Sequence, residues 1–339
     1  MKVATLTAQK IAMKHGAGGR SMRRLIEQVI LKGATGPAAA MDDGAVIPIG
    51  DQFLIVTTDS HVIHPLVFPG GDIGWLSVAG TVNDLAMMGA TAPLGLTCGL
   101  VVEEGFSIED LARIQESIRN ACAEAGTAIV AGDTKVMRRG EVDGLIINTS
   151  GVGLTRRVVR DSGLHVGDRI IVTGTIGDHG MAVMAVRHDF DFGDPLRSDV
   201  APLNGMIRAV LDSAGAAVTA MKDPTRGGVA SALHEMAAKS GVGVVLDESQ
   251  LPVRPAVRAA AELLGIDPLF IANEGKALLG VRPDATGKVL EALRWHPYGR
   301  DAAVIGHCVA DSPGSILLDT GFGQRLLSEP DGELLPRIC

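Results

Sequence analysis

The chain has 339 residues, 46% of them hydrophobic, and a formal net charge of -8. This length fits two domains, and the acidic balance argues against a general nucleic-acid binder, which needs a basic face. No apolar run approaches the roughly 18 residues of a membrane span, and the first residues lack a signal-peptide core, so a soluble, cytoplasmic protein is expected. Aromatics make up only 3%. Small aliphatic residues therefore supply the apolar mass, as in α/β or α+β packing rather than an all-β sandwich.

The first motif is His15-Gly16-Ala17-Gly18-Gly19-Arg20, ahead of a helix whose apolar face carries Met22, Leu25, Ile26, Val29 and Ile30. Backbone N–H groups of such a loop can face a phosphate, aided by the helix N-terminus. The spacing is not that of a Walker A loop, and no clear strand precedes it as in a dinucleotide fingerprint. A loop that closes over nucleotide and a mobile N-terminal arm both satisfy it. A strand at 53–58 then runs into Asp59. Phe68-Pro69-Gly70-Gly71-Asp72 gathers turn formers before an apolar helix at 74–88. Ser107-x-x-Asp110 opens a helix to Ala125, with Ile108, Leu111, Ile114, Ile118 and Cys122 on one face. A strand at 128–131 leads into Gly132-Asp133-Thr134-Lys135, and another follows at 144–149. Asp133 and Lys135 stand two apart, so on a strand they face one side. They make either a surface ion pair or a metal ligand beside a phosphate-binding cation.

A junction at 151–161 divides the chain into 1–155, 156–328 and a tail, 329–339. The second half repeats the rhythm. Strands are expected at 169–173, 243–246, 277–281, 302–305 and 315–318, and helices at 203–213, 227–239, 255–264 and 285–293. No low-complexity linker intervenes, so the halves are expected to pack together. Asp223-Pro224-Thr225-Arg226-Gly227-Gly228 precedes one of these helices, where Arg226 can fork onto phosphate or carboxylate. Asn273-Glu274-Gly275-Lys276 precedes a strand. Glu274 there is a general base if its pKa is suitable, or part of a turn.

Asp42-Asp43, Asp59, Asp72, Asn83-Asp84 and Asp133 punctuate the ends of elements in the first half. Each alone is satisfied by turn or cap chemistry. Asp43, Asp59, Asp84 and Asp133 together fit a Mg²⁺–nucleotide site, because Mg²⁺ takes a few carboxylates plus phosphate oxygens and water. There are 4 cysteines and no C-x-x-C pair, which argues against structural zinc. Cys98, Cys122 and Cys308 read as inert core thiols. Cys339 is the last residue, outside any packed element, where a thiol is a nucleophile on a movable arm.

These motifs, with the terminal Pro336-Arg337-Ile338-Cys339, cover nearly the whole chain. They resemble the hydrogenase-maturation carbamoyl dehydratases, the HypE family of the PurM-like ATP-binding superfamily. The terminal tetrapeptide is the part specific to this family. The resemblance implies two α/β halves, with the N-terminal halves of two subunits closing a β-barrel and ATP in a groove formed partly at that pairing. It also implies that the carbamoyltransferase HypF carbamoylates the terminal thiol. The S-carbamoyl group is then dehydrated with ATP and Mg²⁺ to an S-cyanide, and the cyanide passes to iron on the HypC–HypD complex. Carried onto this sequence, Cys339 bears the group, Lys135 contacts phosphate and the carbamoyl oxygen, and Glu274 is the base. Asp43, Asp59, Asp84 and Asp133 hold metal, with Asp59, Asp84, Asp133 and Arg226 also serving the nucleotide. His15, Gly16, Gly18 and Gly19 form a lid.

One departure is Asp42-Asp43-Gly44, where the superfamily often has alanine in third place, which leaves Asp42 or Asp43 as the ligand. The tail must swing. Gly332 to Cys339 spans at most roughly 23 Å at ~3.3 Å per residue, with Pro336 stiffening it and Arg337 partly offsetting the terminal carboxylate. Other readings are a non-catalytic thiol carrier, a small-molecule kinase, or another PurM-like enzyme such as selenophosphate synthetase. The last would want a reactive residue near the Gly-rich loop, and 1–24 has no cysteine.

Overall fold

A computed structural model describes residues 10–33, 40–190, 196–332 and 338–339. The first half contains α1 (Gly19–Leu25), β1 (Ala45–Ile49), β2 (Gln52–His61), β3 (Val67–Phe68), β4 (Gly71–Asp72), α2 (Ile73–Met87), β5 (Pro93–Glu103), α3 (Ile108–Ala125), β6 (Ile129–Met137) and β7 (Leu145–Thr155). Five of its strands form one sheet in the order β1-β2-β7-β5-β6, with only the β5–β6 pair parallel. That pair is joined through α3, the right length of crossover for parallel neighbours. Ser107 caps α3 by accepting from the Asp110 amide, as its sequence signature requires.

The second half contains β8 (Arg169–Val172), α4 (Asp178–His188), α5 (Asn204–Ala214), β9 (Val218–Lys222), α6 (Gly228–Ser240), β10 (Gly243–Asp247), α7 (Pro255–Leu264), β11 (Leu278–Val281), α8 (Thr286–Trp295), β12 (Ala303–Val309), β13 (Ile316–Asp319) and β14 (Gln324–Leu327). Its sheet runs β14-β13-β10-β12-β8-β11-β9. The chain is thus mixed α/β in two halves, as its composition predicts. The strand expected at 128–131 is longer: β6 continues through Asp133 and Lys135, because the whole segment pairs with β5 from Leu96 to Glu103. The strand expected at 144–149 likewise runs on through the supposed junction to Thr155.

Helix α2 joins the halves. It is apolar on nearly every face, and Leu76, Val78, Val82 and Leu85 are fully buried against the first sheet and α3. Its last turn, Ala86 and Met87, packs instead with α5, α8 and β11 of the second half. A helix apolar all round is a buried one, which explains why no linker was visible in the sequence. Truncating Leu85 to Ala would cost about 2–5 kcal/mol. The first core also takes in Met181, Ala182 and Val183 of α4, Ile271, and Ile338 near the chain end.

Candidate active site

A cleft of about 840 Å³ opens between the halves. Its wall includes the Gly18-Gly19 turn, the segment with Asp43, the carboxylates of β2 and α2, the loop from β9 into α6, Glu274, and the chain end at Cys339. Gly18 has φ +76, and a Cβ there would sit 2.7 Å from the Arg226 carbonyl. Glycine is therefore required where the N-terminal loop crosses the Asp223–Gly228 loop. Arg226 donates from Nη1 to the Gly16 carbonyl at 3.2 Å, tying the two loops together.

At the β1 end, the acidic pair is already engaged. Asp43 lines the cleft and is bonded to Lys222, whose Nζ also lies 3.4 Å from Glu235 and 3.7 Å from Asp161. Asp42 pairs with Arg160 and lies 3.8 Å from Lys239. Burial raises the Asp43 pKa, and the Lys222 ammonium opposes the shift. The next group of carboxylates has less compensation. Asp84 accepts from Thr57 Oγ1 at 2.7 Å. Its pKa stands well above the usual range, through burial first and then repulsion from Asp223, Asp59 and Asp43. Asp223 is pushed up to about 7, by burial and then by Asp43, with Asp59 adding to the shift. Asp59 lies 3.7 Å from the buried His61 Nε2.

At the other end stands Glu274, 3% exposed. Its Oε1 has no hydrogen-bond partner among the described residues. Burial, then Asp223, Asp59 and Asp199, raise its pKa well above the ordinary value, and Arg226 opposes them. Cys339 closes the wall at the junction of the cleft with a second cavity of about 480 Å³. Burial pushes its thiol up to about 12, with Arg226 opposing and Glu274, Asp59 and Asp223 adding to the shift. The other three cysteines are buried, and burial takes the Cys122 and Cys308 thiols up to about 11 and 12, as inert core thiols should behave.

The expectation that Cys339 lies outside packed structure is corrected. Ile338 is 4% exposed within the first core. A carboxylate oxygen of Cys339 accepts from the Val62 amide at 3.1 Å, and the Ile338 carbonyl oxygen faces His179 Nε2 at 2.6 Å. Among the described residues, the buried Ile338 side chain, one main-chain bond from Val62 and one bond from the His179 imidazole hold the end. Pro336 and Arg337 lie outside the described residues.

Asp43, Asp59, Asp84, Arg226, Glu274, Gly18, Gly19 and Cys339 all line the large cleft. Gly16 lines the smaller cavity. His15 turns inward, and its Nδ1 accepts from the Ala12 amide at 2.9 Å. Within one chain, Asp133 and Lys135 do not reach the cleft. They sit on β6, the sheet edge, with side chains 69% and 68% exposed and paired to each other at 2.9 Å. Sequence reasoning passed over Asp223 and Lys222. Asp223 was visible as the first residue of a motif from which only the arginine was taken, while Lys222 had no signal beyond its position one residue earlier.

Among the described residues, no three His, Cys, Asp or Glu side chains converge tightly enough to hold a metal unaided. The carboxylates nonetheless fit a cation that arrives with phosphates. Mg²⁺ needs only one or two carboxylates when phosphate oxygens and water complete its shell, and Asp84 and Asp223 are held near Asp59 with too little positive charge.

A cleft between two mixed α/β halves, walled by acidic and glycine-rich turns, defines the class. Residues 41–155 match the AIR synthase related protein N-terminal domain, and 165–319 match its C-terminal domain. Carbamoyl dehydratase HypE of Azotobacter vinelandii is 45% identical over 97% of this chain and 97% of its own length. The Escherichia coli K12 enzyme of the same name is 43% identical over 97% and 99%. A HypE structure solved in a HypE–HypF complex superposes with a TM-score of 0.85 at 45% identity, covering 90% of this chain and 99% of that one. HypE solved in complex with ATP gives 0.81 at 38% identity, covering 97% and 100%. The chain belongs to the HypE carbamoyl dehydratases of the AIR synthase-related family.

Proposed function

We propose that this protein uses ATP to dehydrate a carbamoyl group carried on its own Cys339 to an S-cyanide, for the iron of a [NiFe]-hydrogenase. The observation that carries this reading is the position of Cys339. The chain end is docked in the acidic cleft, beside Arg226 and with the unpaired Glu274 in the same wall. A thiol that only carried a group to a partner would not need this setting.

The atoms balance simply. S–C(=O)–NH₂ loses its oxygen and both nitrogen protons to become S–C≡N, while ATP becomes ADP and phosphate. ATP supplies the phosphoryl group that makes the amide oxygen a leaving group, and Mg²⁺ offsets its charge. The residues of the chain do the rest. Asp84, Asp223 and Asp59 hold the metal, with Asp43 beside them once its pairing with Lys222 is shared. Asp59 and Asp84 also serve the nucleotide. Arg226 holds anionic oxygen, and Gly16, Gly18, Gly19 and the buried His15 shape the loop that covers it. Glu274 takes nitrogen protons. Its raised pKa suits a base that becomes competent once a cation offsets the neighbouring carboxylates.

Asp133 and Lys135 enter through a second copy. Among the described residues β6 is an unpaired edge, and Ile47, Ile49, Leu94, Val130 and Val136 are exposed on the same sheet. Apolar exposure beside an open strand edge calls for a partner sheet. A homodimer that pairs the first sheets covers it and carries Asp133 and Lys135 toward the neighbouring cleft as metal and phosphate ligands. HypF loads the thiol and the HypC–HypD complex receives the cyanide. The tail moves outward for both, keeping 1–155, 156–328 and 329–339 as functional units.

ATP turnover tests this reading. With the carbamoyl-donating partner present, the wild-type chain should hydrolyse ATP in step with carbamoylation, and Cys339→Ala should not. Equal turnover in both would point to a kinase or phosphatase acting elsewhere.

A further inference from the structure

Three pieces of chain meet at His179: the tail at Ile338, Ser198, and the turn at Phe68. This residue is fully buried in the first turn of α4. Its Nε2 lies 2.6 Å from the carbonyl oxygen of Ile338, the residue before the thiol. A carbonyl can only accept, so Nε2 carries the proton. Burial lowers the His179 pKa, which leaves the ring neutral and Nδ1 as its acceptor. Ser198 Oγ stands 2.7 Å from Nδ1 and itself accepts from the Val200 amide at 3.0 Å. The hydroxyl proton of Ser198 is thus directed to the ring and fixes the tautomer. Phe68 packs edge-on against the imidazole, with centroids 5.3 Å apart and planes at 89°.

Ser198 is itself mounted. Its amide donates to the Pro69 carbonyl at 2.7 Å. Gly70 has φ +100, and a Cβ there would come within 2.7 Å of the Ser198 carbonyl oxygen. The Phe68-Pro69-Gly70 turn therefore supports both His179 and Ser198. The next residue, Asp199, accepts from the Glu274 amide at 3.1 Å and the Gly275 amide at 3.3 Å, and pairs with Lys276 at 3.0 Å. One dipeptide thus holds both sides: Ser198 holds the tail through His179, and Asp199 holds the Glu274 loop directly.

We propose that His179 is a positioning residue, a latch whose Nε2–H, set by Ser198, pins the Ile338 carbonyl and registers Cys339 against Glu274. That this register serves dehydration rests on the proposed function; the latch itself does not.

The test is alkylation of Cys339 by iodoacetamide in the full-length protein, without ATP or partner, quantified by peptide mass. Only the thiolate reacts, and the docked thiol is half-buried and protonated, so the rate rises with the undocked fraction. His179→Phe keeps an aromatic ring beside Phe68 and removes the donor. It should raise the rate about tenfold, the effect of leaving a buried acceptor unpaired. His179→Gln retains an N–H donor and should return the rate toward wild type, which a merely structural role would not produce. Ser198→Ala should fall between, and it carries the test if His179→Phe does not fold. Equal rates in wild type and Ser198→Ala, or in wild type and a folded His179→Phe, would overturn the latch. On the carbamoylated protein, His179→Phe should lower kcat for water loss and leave KM for ATP unchanged. If alkylation responds as expected but wild type never loses water, the latch stands and the dehydratase reading falls.

Discussion

Lys222 is bonded to Asp43 and stands within 4 Å of both Asp161 and Glu235, so one ammonium serves three carboxylates at the cleft wall. Removing it strands buried negative charge. Lys222→Met should destabilise the fold by about 3–5 kcal/mol, the usual cost of breaking a buried pair from one side. Urea unfolding followed by circular dichroism measures this. A midpoint unchanged from wild type would mean that these carboxylates are satisfied without Lys222.

Glu274→Gln separates chemistry from folding. The variant keeps the shape and loses the base, so carbamoylated protein should accumulate with no loss of water while ATP still binds. Its stability should change with a defined sign. The Glu274 pKa is raised above its ordinary 4.5 in the fold, so the native state keeps a proton that the unfolded chain has lost. Stability therefore falls as pH rises from 4.5 through the native value. The amide has no proton to lose, so above that window Glu274→Gln should melt higher than wild type. Thermal melts at pH 5 and pH 8 give the comparison, and a variant that melts lower at pH 8 would refute it.

Docking of the chain end should depend on pH through its thiol. Burial raises the docked Cys339 pKa from 9.0 to about 12. Between those values the docked state holds a proton that a free tail would release, so docking is strongest below pH 9 and weakens as pH rises above it. The Val62 amide, which donates to a carboxylate oxygen of Cys339, reports this by NMR. Its shift should move toward that of a tail-deleted chain above pH 9 in wild type and stay flat in Cys339→Ser. Identical titrations would remove the thiol as the cause.

Asp133 and Lys135 test the shared site. Both are exposed in one chain, so Asp133→Asn should leave the melting temperature unchanged while abolishing ATP-dependent water loss. Mixed with the inactive Glu274→Gln chain, it should regain part of the activity, because a mixed dimer contains one cleft with both groups intact. No recovery on mixing would place each active site within a single chain.

The fold class and most of the cleft were legible in the sequence because their signals are local. Ser107 capped α3, glycine marked the crossing at Gly18, and carboxylates at strand and helix ends became the acidic wall. What stayed hidden depends on tertiary partners. Asp43 looks like a free ligand until Lys222, far away in the chain, is seen beside it. Asp223 owes its raised pKa to burial and then to Asp43 and Asp59, which lie far from it in the chain. Cys339 reads as a loose terminus because no sequence pattern shows that a buried isoleucine, the Val62 amide and the His179 ring can dock it. His179 sits in an apolar helix as an ordinary core histidine would, and only the arrival of Ile338 makes it a donor to the tail.

The central claim is that the terminal thiol carries the group on which the cleft acts. The measurement that meets it most directly is the intact mass of the protein after incubation with its carbamoyl-donating partner, with and without MgATP, beside Cys339→Ala. The account predicts the gain of one carbamoyl group, then the loss of one water only when ATP is present, with neither change in the mutant. A carbamoyl adduct that ATP never dehydrates, or an adduct that persists in Cys339→Ala, would contradict it.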